Sequence, residues 1–460
     1  MPESIQIFFA ISVFIVTYAI IVSEKIHRTV IALVSAALIG LSGMLTAEEA
    51  IDSVDFNTVG LLVGMMVIVG ITRQTGIFEY LAIKAAKRSG GQPLKIMVSL
   101  ALITAVLSAL LDNVTTVLFM VPVTFAIARK VEVNPLPYLV VEIIASNIGG
   151  TATLIGDPPN IMIGSATELG FMDFVINLTP VVAVVYVISI FILRIIYRKQ
   201  LVSTPELQKN IMNMNEQDEI KDPVILKRCL LVLFLTMTGF VAHQYIHIES
   251  SVIAISGASL LLLLSRQDPE HALRDIEWAV IFFFIGLFVI VGALEHVGVI
   301  KTLAKYTLEV TGSNILASGM LILWISAIAS AFVDNIPFVA AMIPLIQDMG
   351  QLGGMENLDF LWWSLSLGAC FGGNGTIIGA SANVVVVGIA EKRGTYISFL
   401  GFFKIAFPLM LMSIVIATGY LWMLFLLGHA SLAVTLAIAL LVSAASRLIS
   451  GYLDNKGTPE

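Results

Sequence analysis

The sequence predicts an all-α polytopic membrane protein built from two inverted-topology repeats, and three observations carry that prediction. Of its 460 residues, 58% are hydrophobic and 12% charged, against roughly a quarter charged in an ordinary soluble domain. Apolar runs of spanning length recur from Ile5–Val22 almost to the end of the chain, as helical spans require, without the alternation that marks a membrane barrel. The second half also repeats the first at an offset of 222 residues: Gly64, Gly70 and Gly76 fall on Gly286, Gly292 and Gly298, and Asp112-Asn113 falls on Asp334-Asn335. One inserted residue then places Gly149, Thr153, Gly156 and Asn160 over Gly372, Thr376, Gly379 and Asn383.

Each copy runs in the same order: three spans, an apolar hairpin, a glycine-rich span and a last span. The first copy places these at 5–22, 29–45, 57–72, 95–128, 138–165 and 174–197, and the second at 230–246, 250–265, 278–296, 316–347, 360–390 and 402–427. A re-entrant hairpin returns to the side it left, so each copy makes an odd number of crossings and the second is expected upside down relative to the first. With one extra helix at 431–449, this gives about 11 spans and 2 hairpins. The expected organisation is a first inverted repeat at 1–200 and a solvated, mobile cytoplasmic linker at 201–228. A second inverted repeat at 229–427 is followed by an extra C-terminal helix and cytoplasmic tail at 428–460.

Charge supports that topology. With the N-terminus outside and the C-terminus cytoplasmic, all of the 25 lysines and arginines except Lys301 and Lys305 fall inside, while Glu48, Glu49, Asp52 and Asp55 fall outside. This is the positive-inside distribution of a multi-pass protein of the cell's inner (plasma) membrane. The first apolar run has no basic start and no small-residue cleavage site, so it reads as a span and not as a signal peptide. Cys229 and Cys370 sit alone in separate apolar runs and read as packing residues. No ATP-binding loop is present, so ATP-driven work would need a separate ATPase subunit.

Inverted repeats with interrupted helices form binding sites near the midplane, where the copies meet. The interruptions here are the turns at Asp112-Asn113 and Asp334-Asn335 and the stretches "NIGGTATLIGDPPN" (147–160) and "GGNGTIIGASAN" (372–383). Glycine weakens the helix at each break, and Pro158-Pro159 pushes Asp157 out of the helical region while starting the next helix. Asp157 is equally suited to be an N-cap there, and Asn160 and Asn383 to be helix-packing residues. Asp112 and Asp334 point more firmly to function: an intramembrane carboxylate is costly, and no lysine or arginine lies in 96–128 or 316–347. Glu142 is expected at the membrane interface, with a proton path as the alternative.

The stretches "LDNVTTVLFMVP", "SNIGGTATLIGDPPNIMIG", "VDNIPF" and "GGNGTIIGASANVV" resemble the ion transporter superfamily. Within it they are similar to the branch containing the ArsB arsenite permeases, the NhaD sodium/proton antiporters and the melanosomal P protein, over nearly the whole chain. The resemblance implies cation and substrate sites at the hairpin tips and breaks. The matching positions are Asp112, Asn113, Thr115, Thr116, Asn147, Thr151, Thr153, Asp157 and Asn160 in the first copy. In the second they are Asp334, Asn335, Asn374, Thr376, Ser381 and Asn383.

The function this implies is secondary active transport coupled to H⁺ or Na⁺, exporting a small inorganic solute such as arsenite or antimonite. A sodium/proton antiporter and an anion or carboxylate transporter or channel are the alternatives. An enzyme is not expected: a two-aspartate protease would pair Asp112 with Asp157, whereas the duplication pairs Asp112 with Asp334. No cofactor or metal beyond Na⁺, and no nucleic acid, is expected. The bilayer is the expected surrounding, and a homodimer is left open.

Overall fold

The computed structural model describes residues 2–23, 25–428 and 430–455, and every regular element among them is helical. Eight of these helices are long and apolar enough to cross a membrane, from Ser4–Ser23 to Phe399–Leu427. Arg28–Leu41, Leu136–Gly150, Ser250–Ser265 and Ala430–Ser446 are shorter apolar helices. The periphery is apolar too: Leu41, Leu263 and Leu440 are 86%, 75% and 73% exposed, a surface that suits hydrocarbon and not water.

The helices recur in the order that the duplication predicts. Phe56–Gln74 and Trp278–His296 are followed by Ile77–Arg88 and Val299–Thr311, each begun by a glycine with positive φ, Gly76 at 80° and Gly298 at 75°. Next come the hairpins, Pro93–Leu110 with Asn113–Lys130 and Ile315–Phe332 with Asn335–Gly353. Their returning helices carry a proline at matched positions, Pro122 and Pro344. Asp112 caps the first returning helix by accepting from the Thr115 N–H at 2.8 Å, and Asp334 caps the second by accepting from Ile336 N–H at 3.1 Å. The glycine-rich spans are broken as expected, into Leu136–Gly150 with Pro158–Ser165 and Asp359–Gly372 with Ser381–Lys392.

Two kinds of packing place the site. Within each copy, the hairpin lies tightly on its own broken helix. A Cβ on Gly149 would stand 2.2 Å from the Ala105 carbonyl oxygen, and one on Gly372 would stand 2.6 Å from that of Ala327. Between copies, Phe56–Gln74 packs on Ser250–Ser265 and Trp278–His296 on Arg28–Leu41. These contacts close through Gly64 against Ala254 and Gly286 against Ala32.

The segment 201–228, expected to be loose, is docked. It contains the helix Pro205–Met212 and the short 3-10 turn Glu216–Glu219. Lys87 Nζ donates to Glu216 Oε2 at 2.6 Å and to the Met214 carbonyl at 2.9 Å. Gly76 fits directly beneath the Glu219 carbonyl, where a Cβ would come within 1.8 Å. The polar composition that suggested mobility is used instead to bond a neighbouring helical surface.

Candidate substrate and cation site

The four interruptions meet in one buried polar cluster. At its centre Asn147, at the end of the first half-helix, donates through Nδ2 to Asn374 Oδ1 at 3.0 Å and to Asn383 Oδ1 at 2.9 Å. Its own Oδ1 accepts from Asn113 Nδ2 at the first hairpin tip, at 3.2 Å. One amide thus ties the first tip to both sides of the second break. On the other flank Asn335 Nδ2, from the second tip, donates to Asp157 Oδ1 at 3.2 Å. Asp157 is fully buried and its side chain does not cap Pro158–Ser165, so the capping role is not the one it fills. Its Oδ2, like Asn113 Oδ1 and Thr116 Oγ, has no hydrogen-bond partner among the described residues. Buried orphan atoms of this kind call for a ligand, an ion or water.

The breaks are held open by their own asparagines. Asn160 Nδ2 donates to the Thr151 and Thr153 carbonyls at 3.1 and 2.9 Å, and Asn383 Nδ2 donates to those of Gly373 and Thr376 at 2.8 and 2.9 Å. These bonds satisfy carbonyls that the unwound stretch would otherwise orphan. The hydroxyls of Thr153 and Thr376 donate to the Ala109 and Ala331 carbonyls of the hairpins, and Thr151 Oγ bonds back to the Asn147 carbonyl. In this state all three serve the framework. The Thr115 side chain lies buried at the first tip beside Thr116.

Asp112 and Asp334 differ more than the duplication suggests. Asp112 is partly exposed, and its Oδ1 accepts the N–H of Thr115. Asp334 is 8% exposed and holds an ion pair: its Oδ2 lies 2.6 Å from Arg28 NH1 and accepts from Ser381 Oγ at 2.7 Å. Arg28 NH1 also donates to Ser381 Oγ, and its guanidinium lies over the Phe283 ring at 5.0 Å. The neutralising base absent from the hairpin is therefore supplied by the start of Arg28–Leu41. A cavity of about 360 Å³ opens beside this group, lined by His27, Arg28, Phe332, Asp334 and Ser381 among others.

Sequence reasoning missed three participants. Arg28 read only as an inner-side charge, although Ser250 takes its place in the other copy and marks it as special to the first. Cys370 read as packing, yet the 223 shift puts it on Asn147, and it lies 3.7 Å from Asn160 Oδ1 as Asn147 lies against Asn383. Ser366 Oγ donates to the same Asn160 oxygen at 2.6 Å. Glu142, expected at the interface, is instead buried, at 1% exposure.

Residues 18–368 of this chain match the family model CitMHS, described as citrate transporter. The chain belongs to this family of membrane transporters. Its relatives include proteins named as transporters: an uncharacterized transporter of Mycobacterium bovis is 43% identical over 419 residues, covering 90% of this chain and 97% of that protein. The P protein of Mus musculus is 34% identical over 501 residues, covering 90% of this chain but 60% of its own length. The resemblance drawn from the hairpin and break motifs is thus borne out at the level of the superfamily. The fold matches that of the YdaH transporter of Alcanivorax borkumensis with a TM-score of 0.51 at 12% identity, over 93% of this CitMHS chain and 99% of the other.

Proposed function

We propose that this CitMHS-family chain is a secondary active transporter of the plasma membrane, coupled to H⁺ or Na⁺, that exports a small inorganic solute of the arsenite or antimonite kind. The supporting observation is the charge balance of the cluster. Asp112, Asp157 and Asp334 surround the amides, and among them it is Asp334 that has a basic partner. Carboxyls at this density, ionised when a cation enters among them, favour a cation and an uncharged hydroxide over a free polyanion. Asn113, Asn147, Asn374 and Asn383 supply the donors and acceptors that such a hydroxide would use. In this reading the hairpins and broken helices move as one body against the outer helices, with the N-terminus outside and the C-terminus cytoplasmic. A carboxylate carried together with a cation is the second reading, favoured by the family's description and by Arg28 beside the 360 Å³ cavity.

Proteoliposomes given arsenite, magnesium citrate, citrate alone, chloride or Na⁺ under imposed pH and Na⁺ gradients separate these. Gradient-driven arsenite movement supports the first reading, and movement of magnesium citrate the second. Exchange of Na⁺ for H⁺ with no other solute makes the chain an antiporter. Solute flux that neither gradient can drive uphill removes coupled transport altogether.

A further inference from the structure

The buried carboxyl of Glu142 lies outside the cluster just described. It stands six positions into Leu136–Gly150, about 9 Å from the start of that helix and about 12 Å short of its end at Gly150. Thr124, on the returning helix of the first hairpin, donates its hydroxyl to Glu142 Oε1, while Oε2 has no partner among the described residues. The titratable neighbour on its own helix is Tyr138, whose hydroxyl donates to the Pro93 carbonyl at 3.0 Å.

Charges on the surrounding helices sit toward their ends: Lys95 on Pro93–Leu110, Arg129 and Lys130 on Asn113–Lys130, Asp173 and Arg194 on Phe171–Tyr197, Asp359 on Asp359–Gly372, and Glu391 and Lys392 on Ser381–Lys392. Arg393 reaches the same hairpin helix through the Pro122 carbonyl at 3.4 Å and the Phe125 ring at 5.1 Å. A carboxyl placed this way is compatible with burial when it carries a proton, because a lone buried carboxylate costs several kcal/mol.

Comparison of the two copies gives this place a function. The second copy has Leu365 where the first has Glu142, and Ile346 where it has Thr124, so the fold does not need a polar pair at this seam. Pro122, two residues before Thr124, leaves the Leu118 carbonyl without its helical rung, as Pro344 does in the second copy, so the proline is common to both hairpins and the carboxyl belongs to the first. Tyr186 and Ser189 on Phe171–Tyr197, a helix that packs on Leu136–Gly150, add buried hydroxyls without partners among the described residues.

We propose that Glu142 is a proton-binding site of the first hairpin and broken-helix unit. It is loaded while the seam with Thr124 is closed, and it releases its proton toward the Val131–Pro135 end when the seam opens. This rests on the coupled-transport reading and names a group that carries a coupling proton beside the carboxylates of the hairpin tips.

The test compares wild type, Glu142→Gln and Glu142→Asp in proteoliposomes, with arsenite and magnesium citrate as probes. Glu142→Gln should keep counterflow within about threefold of wild type, lose pH-gradient-driven accumulation at least tenfold, and show a pH-independent rate. Glu142→Asp should keep coupling with a displaced pH profile. Infrared spectra of the wild-type protein in liposomes should contain a protonated-carboxyl band that fades as pH rises, and Glu142→Gln should lack it. Full pH-driven accumulation by Glu142→Gln overturns the assignment while leaving coupled transport intact, as does wild-type transport driven by Na⁺ alone. A wild type that no gradient drives removes the coupled reading itself. Absence of the band overturns the assignment even if the variant fails to fold.

Discussion

Replacing Arg28 with Met tests whether the ion pair with Asp334 fastens the second hairpin tip to the outer helices. At 2.6 Å, with an effective dielectric constant of about 20, the gross attraction is roughly 6 kcal/mol. Desolvation of both groups takes back most of it. Arg28 is 24% exposed, which screens the remainder further. Arg28→Met leaves Asp334 and Ser381 buried without the cation and should cost roughly 2–4 kcal/mol. Asp334→Asn leaves Arg28 unmatched but able to reach the cavity, and should cost less. The double variant removes both charges and should cost less than the two single losses added together, with a coupling of roughly 1.5–3 kcal/mol. Unfolding free energies in mixed micelles measure all four corners of this cycle. A coupling below about 0.5 kcal/mol would show that the contact is geometrically close and energetically idle, and the fastening would have to come from elsewhere.

Further outcomes follow from the same geometry. Asp112→Asn should abolish gradient-driven accumulation while the protein stays folded, since the amide keeps the shape but not the titratable charge; unchanged pH and Na⁺ dependence in proteoliposomes would exclude it as a coupling site. Gly149→Ala, whose Cβ would meet the Ala105 oxygen at 2.2 Å, should lose about 1–3 kcal/mol in the same unfolding assay, and Gly372→Ala, with its contact at 2.6 Å, should lose less. Single cysteines at the exposed positions Lys130 and Gln351 should be labelled by impermeant reagents from opposite faces, and labelling from one face would contradict the inverted topology. The Lys87 ammonium bonded to Glu216 holds that carboxyl below its usual value of 4.5. Its contribution to docking is therefore present above pH 4.5 and lost as pH falls below it, and hydrogen exchange over 205–219 should quicken in that acid range.

The breaks and tips could be read from the sequence because their causes are local and occur twice. Glycines that lower helix propensity, prolines that start a helix and an aspartate that caps one act within a few residues of themselves, and the second copy repeats each signal. Arg28 and Asp334 could not be matched this way: 306 residues separate them, and no periodicity tells which scaffold helix will meet which tip. Asp157 shows the same limit, since its flanking prolines suggest a cap while Asn335, brought from the other copy, takes its carboxylate. The linker misled because polar composition distinguishes solvated chain from apolar span, but not solvated chain from chain hydrogen-bonded to another helix. Glu142 misled because its place near the start of a helix suggests shallow burial, whereas the hairpin folded over it sets the true depth.

The exchange of partner helices between the copies bears on how the chain is made. Gly64 must wait for Ala254, and Ala32 for Gly286, before either groove is filled. A ribosome that has completed the first half has therefore released helices whose mates do not yet exist, and their small-residue faces must be covered by lipid or by the insertion machinery in the meantime. A single copy by itself could fill those grooves only with a second chain. Carrying both copies on one chain turns that encounter between two molecules into closure of a loop within one, so two halves supplied as separate polypeptides should reassemble at a rate that depends on their concentration.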